Sequence, residues 1–363
     1  MALVWGYTFD FTGLAYLQLG YETGAGTLLR DAGWTTSNWN GYSSVVARAR
    51  QPSAGYGGSA YAMQAAAYYY GGNMRNGSSR TPDSDYSLSD GIAAFHWEQA
   101  ANGSVNSFSY FSLWGGGVEI CQVKVLADRS IEVWTGDTLT LRSVSALSLP
   151  VAAAYIAIRF KTGASGQVDV AIDGTSVTTG TIDTGTTASW DQIKWYTSDK
   201  YAWWWMPTVW DDPATDTALL TAKWLVRIAP SADAAAGGWT GSSGGTITAD
   251  IDEIAHSASD YASTTTDPDE FRCDVSSTAS IHADWTPGAI HGVVCHSVMK
   301  GEGGLSASQN AVKSGSTTNY SAAAANTATS QIRTSVQTTD PNTSSAWANK
   351  AAIDGAEFGV KVS

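Results

Sequence analysis

The sequence predicts an all-β protein with very little helix, built as two β-sandwiches in series, and three observations carry that expectation. The first is the stretch Gln167–Val177, QVDVAIDGTSV. Val168, Val170 and Ile172 alternate with Asp169 and Ala171, and Asp173-Gly174 supplies the two positive-φ residues of a type I′ hairpin turn. A two-residue loop sets Ile172 opposite Thr175 and Val170 opposite Val177, so the apolar residues share a face. The second is a long series of short alternating segments separated by turn clusters. The third is composition: charged residues make up only 15%, while 37 Gly, 16 Trp and 16 Tyr suit short strands and aromatic cores.

In chain order, residues 1–60 open with the alternating aromatics Trp5, Tyr7, Phe9 and Phe11 and pass through Gly- and Asn-rich turns around Trp34 and Trp39. Ser59–Tyr70 reads as a strand ending at Gly71-Gly72. Arg75–Asp90 is polar, and Gly91–Gln99 is a strand whose first residues also suit a helix. Period-2 segments follow at Phe108–Leu113, Val118–Leu126, Ser130–Trp134, Thr138–Leu141, Tyr155–Lys161, Gln167–Val177 and Asp191–Tyr196. In Tyr155–Lys161, Ile156, Ile158 and Phe160 point one way and Tyr155, Arg159 and Lys161 the other. Trp203–Trp210 and Lys223–Ile228 complete a sandwich or jelly roll over 1–230.

The segment 231–269 is rich in Ala, Gly, Ser, Thr and Asp and reads as a linker or long loop. A smaller β-sandwich over 270–363 follows, with apolar series at Phe271–Val275, Ala289–Lys300, Ala311–Tyr320 and Ser330–Thr338. Ser344 or Ser345 is placed to cap a short helix at about Ala346–Ala352, and Ala356–Val362 closes as a strand. At 363 residues the chain exceeds what one core usually serves, which agrees with two domains.

The charge excludes one class of function. Lys+Arg 20 against Asp+Glu 33 gives a net charge of −13 with no basic run, the wrong sign for a nucleic-acid footprint. The N-terminus lacks a basic region followed by an apolar one, so no signal peptide is expected. No apolar run approaches the ~20 residues that span a bilayer. Cys121, Cys273 and Cys295 are too few for a disulfide framework and read as reduced, mostly buried thiols.

The order of segments resembles tailed-bacteriophage virion proteins that carry a concanavalin A-like (laminin-G-like) jelly roll. The matching pieces are WGYTFDF, LLRDAGW, ADRSIEVWTGDTLTL, AAYIAIRFK, QVDVAIDGTSV, WDQIKW and VWDDPA, then KWLVRIAPSAD…GWTGSSG, IDEIAHSASDYASTTT and the closing AWANKAAIDGAEFGVKVS. The likeness runs over nearly the whole chain by segment order, and the departures are greatest at Tyr68–Asp90 and Trp203–Trp205. The resemblance implies a non-enzymatic structural component of the virion, an accessory protein of head, neck or tail such as a decoration or fibre protein. Made in the host cytoplasm, it would meet other virion proteins as a homo-oligomer, a trimer by analogy with such proteins. The alternative is a host-glycan adhesin at a fibre tip or on the capsid surface.

A glycosidase of this fold needs two carboxylates at acid/nucleophile spacing; the Glu-x-Asp-x-x-Glu pattern is absent, and Asp169 and Asp173 lie on opposite faces of the hairpin. Gly241-Ser242-Ser243-Gly244-Gly245 matches a nucleophile elbow only formally, in the expected linker. His282, His291, Cys295 and His296 do not share one face of an extended segment, as a metal would require. Asp211, Asp212 and Asp216 are candidate calcium ligands of a rim loop; no other cofactor is expected. Trp203, Trp204 and Trp205, with Tyr68, Tyr69 and Tyr70, are the candidate interface or sugar-stacking residues.

Overall fold

The hairpin forms as its alternation dictates. In the computed structural model of the chain, Ile172 is the Cα partner of Thr175 and Val170 of Val177. Asp173 and Gly174 take φ values of 49° and 84°, as a type I′ turn requires. The structure describes residues 3–6, 16–19, 34–37, 45–48, 62–65, 76–80, 87–99, 109–126, 128–150, 154–197, 202–211, 228–251, 259–275, 289–301, 307–328 and 331–363. The chain divides into two units, one with its body at Leu14–Leu225 and one at Val226–Ser363.

The larger unit is a sandwich of two antiparallel sheets. One runs Thr175–Ile182, Gly166–Ile172, Ala154–Lys161, Asp90–Gln99, Ala202–Asp211, Ala62–Ala65, Val45–Arg48, Tyr16–Leu19. The other has seven strands in the order Thr140–Ser148, Ser130–Thr135, Val118–Val125, Ser109–Gly115, Gln192–Thr197, Asn76–Arg80, Trp34–Ser37. The alternating apolar residues meet between them. Phe95 of the first sheet stands 4.8 Å from Phe111 of the second, centroid to centroid. Ile156, Ile158, Phe160, Val168 and Val209 join from one side and Leu113, Val123, Ile131 and Val133 from the other, all buried. Each such side chain contributes about 1.5–3 kcal/mol. This is the jelly-roll-type sandwich the strand series predicts.

The first sheet is also buried on its other face. Ile92, Ala94, His96, Tyr155, Ala157, Thr208 and Trp210 alternate with the core residues yet are all buried. That explains why Gly91–Gln99 lacks a clean period: a strand covered on both faces reads as a continuous apolar run. On this face Arg159 donates to both Asp90 carboxylate oxygens, at 3.1 and 2.9 Å. Asp169 lies 3.9 Å from the same guanidinium. It points away from the core, as the alternation requires, but is only 8% exposed and accepts a hydrogen bond from Gln167.

In the smaller unit the described residues 231–251 and 259–269 are folded, where the sequence reads as a linker or long loop. Pro230–Ala235 is a strand paired with Asp269–Val275, and Thr240–Gly241 pairs with Ala262–Ser263. Ile247 packs on Phe271 and Cys273. Polar side chains organise this run: Asp233 accepts the N–H groups of Ile247 and Thr248 at 2.9 and 2.8 Å, and Asp250 accepts Ser243 N–H at 3.1 Å. The main sheet has six strands, running Pro230–Ala235, Asp269–Val275, Ala356–Val362, Ala307–Ser314, Thr317–Tyr320, with Ala324–Ala325 also paired to Ala307–Ser314. A two-stranded ribbon, Val293–Met299 with Gln331–Gln337, lies against it through Asn310. The Asn310 amide donates to the carbonyls of Cys295 and Arg333, both at 3.3 Å, and to Ser335 Oγ at 3.1 Å. Its oxygen accepts from Ser297 Oγ at 2.6 Å.

The short helix is Lys350–Asp354, capped by Asn349, whose Oδ1 accepts Ala352 N–H at 3.0 Å. The sequence places its start four residues early; Ser344 instead takes φ 56° in the preceding turn. On the sheet's outer face Tyr320, Ala311, Gly359 and Arg272 are successive Cα partners across four strands. The small residues in the middle let Tyr320 Oη reach across and donate to Glu270 at 2.7 Å. Arg272 donates to Glu270 and, at 2.8 Å, to Glu357, and Lys313 donates to Glu357 at 2.6 Å. A Cβ on Gly359 would fall 1.8 Å from the Phe271 carbonyl oxygen, so only glycine fits there. Among the described residues no helix is long and apolar enough to cross a membrane.

Candidate functional site

The outer face of the seven-stranded sheet presents partly exposed indoles. On Ser109–Gly115 the core side chains are Phe111 and Leu113, which turns Ser112 and Trp114 outward. On Ser130–Thr135 the core takes Ile131, Val133 and Thr135, leaving Glu132 and Trp134 outside. Between these strands Val118–Val125 contributes Gln122 and Lys124: Gln122 is the Cα partner of both Ser112 and Trp134, and Lys124 of Glu132. Trp114, Trp134, Lys124 and Glu132 are half-buried, while Ser112 and Gln122 lie beneath them at 0% and 5% exposure.

Each outer indole is held by the residue two positions earlier. Trp114 Nε1 donates to Ser112 Oγ at 2.8 Å, and Trp134 Nε1 donates to Glu132 Oε2 at 2.9 Å. Residues i and i−2 are about 7 Å apart along a strand, so each ring leans along its own strand rather than standing up from it. Trp210 makes the same bond to Thr208, at 2.9 Å, on the other sheet, where both residues are buried. Lys124 Nζ lies 4.2 Å from the Trp134 ring centroid, within cation–π range. The outer face therefore combines two aromatic rings with an ammonium and a carboxylate, above a buried amide and hydroxyl.

Of the residues singled out from sequence, Trp203, Trp204 and Trp205 lie in the strand Ala202–Asp211, where Trp203 is paired to Glu98 and Gln64 and Trp204 to Trp97 and Met63. The register shifts between Trp205 and Thr208. Tyr68, Tyr69 and Tyr70 lie outside the described residues, as do Asp212 and Asp216; Asp211 ends its strand. His282 is also outside them. Cys295 packs against the core of the smaller unit and His296 faces Thr334 Oγ1 at 3.0 Å, so these neighbours diverge as the strand period requires. Gly241–Gly245 is a turn in which Gly245 N–H donates to Ser243 Oγ at 3.3 Å; no strand-to-helix elbow is built. All three cysteines are free thiols. Burial pushes Cys273 and Cys295 up to about 12 and Cys121 higher still.

Sequence reasoning did not reach Trp114 and Trp134, because an indole in a strand reads as core. The signal was present: each sits out of phase with the apolar residues of its own strand, two after a hydrogen-bonding residue.

No protein-family model matches the chain, and no curated protein matches it. Solved structures align over about half of it. A sialidase does so at a TM-score of 0.38 and 7% identity, over 58% of this chain and 19% of its own, so the chain spans about a fifth of that protein. A carbohydrate esterase from the Shiga toxin-encoding bacteriophage phi24B aligns at 0.35 and 14% identity, over 57% of this chain and all of its own. A protein of unknown function with a galectin-like fold from Bacillus subtilis aligns at 0.37 and 9% identity, over 55% of this chain and 95% of its own.

Proposed function

We propose that the chain is a non-enzymatic structural component of a tailed-phage virion, an accessory protein of head, neck or tail, that also engages a glycan on the host surface. The virion role is supported by the segment order described above. The acidic side chains also serve architecture: Asp173, Asp233, Asp250 and Asp269 each accept backbone N–H groups. Mass spectrometry of purified particles tests this part. Peptides of the chain recovered in stoichiometric amount support it, and their absence from particles overturns it.

The glycan part rests on one observation, the pair of outward indoles on the seven-stranded sheet. Both indoles are partly exposed on this face, which leaves ring surface for a ligand to stack on. The purified protein should bind at least one oligosaccharide on an array of bacterial surface glycans and release no reducing sugar from it. An array with no binding removes this part and leaves the virion role standing.

A further inference from the structure

Two indoles on one sheet face set a length and a charge for what they bind. The strands Ser130–Thr135 and Ser109–Gly115 flank Val118–Val125, so they lie about 10 Å apart. Gln122 is the Cα partner of both Trp134 and Ser112, and Trp114 lies two residues beyond Ser112, a further offset of about 7 Å along the strand. The ring anchors are thus separated diagonally by about 12 Å, wider than a single pyranose. Gln122 lies in the row between them.

The indole N–H groups are committed to Ser112 and Glu132, so the rings offer carbon surface. A pyranose face with several axial hydrogens complements that surface. Lys124 stands directly opposite Glu132, and the chain as a whole carries −13. A polyanionic glycan would meet net repulsion from the chain.

We propose that the outer face of the seven-stranded sheet binds an extended, uncharged oligosaccharide of several sugars, lying diagonally from Trp134 to Trp114 across Gln122. This assignment rests on the glycan-binding reading above and locates it. The side chains act in separate ways: Trp134 and Trp114 stack on sugar rings, and Lys124 and Glu132 are placed to bond hydroxyls at one end.

The test uses the full chain on an array holding neutral and anionic oligosaccharides from one to six sugars, followed by titration calorimetry on the best neutral hexasaccharide. Binding is expected to rise with length and to fall about tenfold or more in Trp134→Ala and in Trp114→Ala. Circular dichroism and melting of each variant separate a lost site from a lost fold. In the unmodified protein the hexasaccharide should also shift tryptophan emission. Hexasaccharide binding that survives both substitutions overturns the site while the glycan reading stands. Preference for anionic sugars, or equal binding of mono- and hexasaccharide, overturns the ligand class. No binding to any sugar overturns both.

Discussion

Asp173 and Tyr155 are joined by two reciprocal bonds: Asp173 Oδ1 accepts Tyr155 N–H at 2.8 Å, and Asp173 N–H donates to the Tyr155 carbonyl at 2.9 Å. The hairpin tip is thereby clasped to the start of its neighbouring strand. The same residue holds φ 49°, so one side chain satisfies the turn and the ladder together.

Asp173→Ala loses both the clasp and the tolerance for positive φ, and should destabilise the larger unit by about 1–2 kcal/mol. Asp173→Asn keeps an acceptor and a residue that accepts that conformation, and should recover most of the loss. Thermal melts of the two variants check the order.

Asn310, at 2% exposure, ties the two-stranded ribbon to the six-stranded sheet. Asn310→Ala removes the partner of two carbonyls and two hydroxyls, and should cost about 2–4 kcal/mol. Hydrogen exchange should quicken first in residues 293–299 and 331–337, ahead of the main sheet.

Acid should weaken the smaller unit through Glu357. Burial raises its carboxyl, but the hydrogen bonds from Lys313 and Arg272 outweigh this and hold it below the ordinary 4.5. A depressed folded value means the contribution is complete above 4.5 and is lost as pH falls through the folded value. Denaturant midpoints should therefore drop below that pH, and Glu357→Gln should be less stable at pH 7 with a flatter acid limb.

The thiols should be inert in the folded protein. With Cys273 and Cys295 at about 12 and Cys121 higher, the nucleophilic thiolate is scarce at pH 8. Iodoacetamide should modify none of the three in native buffer and all three in denaturant, as counted by intact mass.

Ser130–Trp134 is legible in the sequence because it alternates cleanly, with one side meeting a core. The Gln167–Val177 hairpin is legible through its Asp173-Gly174 turn, although Asp169 and Ala171 are buried as well. Gly91–Gln99 blurs because His96 and Phe95 are both buried on opposite faces. The run 231–269 resembles a linker because Asp233, Asp250 and Asp269 order its described residues through backbone bonds, which leave no periodic trace. The helix start was misplaced because Ser344 and Asn349 are equally good caps by type, and only the turn conformation separates them. The candidate site was illegible for a related reason: Trp114 and Trp134 differ from core indoles only in phase, and phase becomes meaningful once the pairing is known.

The side-chain belt on the six-stranded sheet has a mechanical consequence. From Lys313 through Glu357, Arg272 and Glu270 to Tyr320, it runs across four strands at right angles to the chain. Tension applied to any one of these strands is shared sideways with the others, so the sheet resists peeling strand by strand and yields as a single plate.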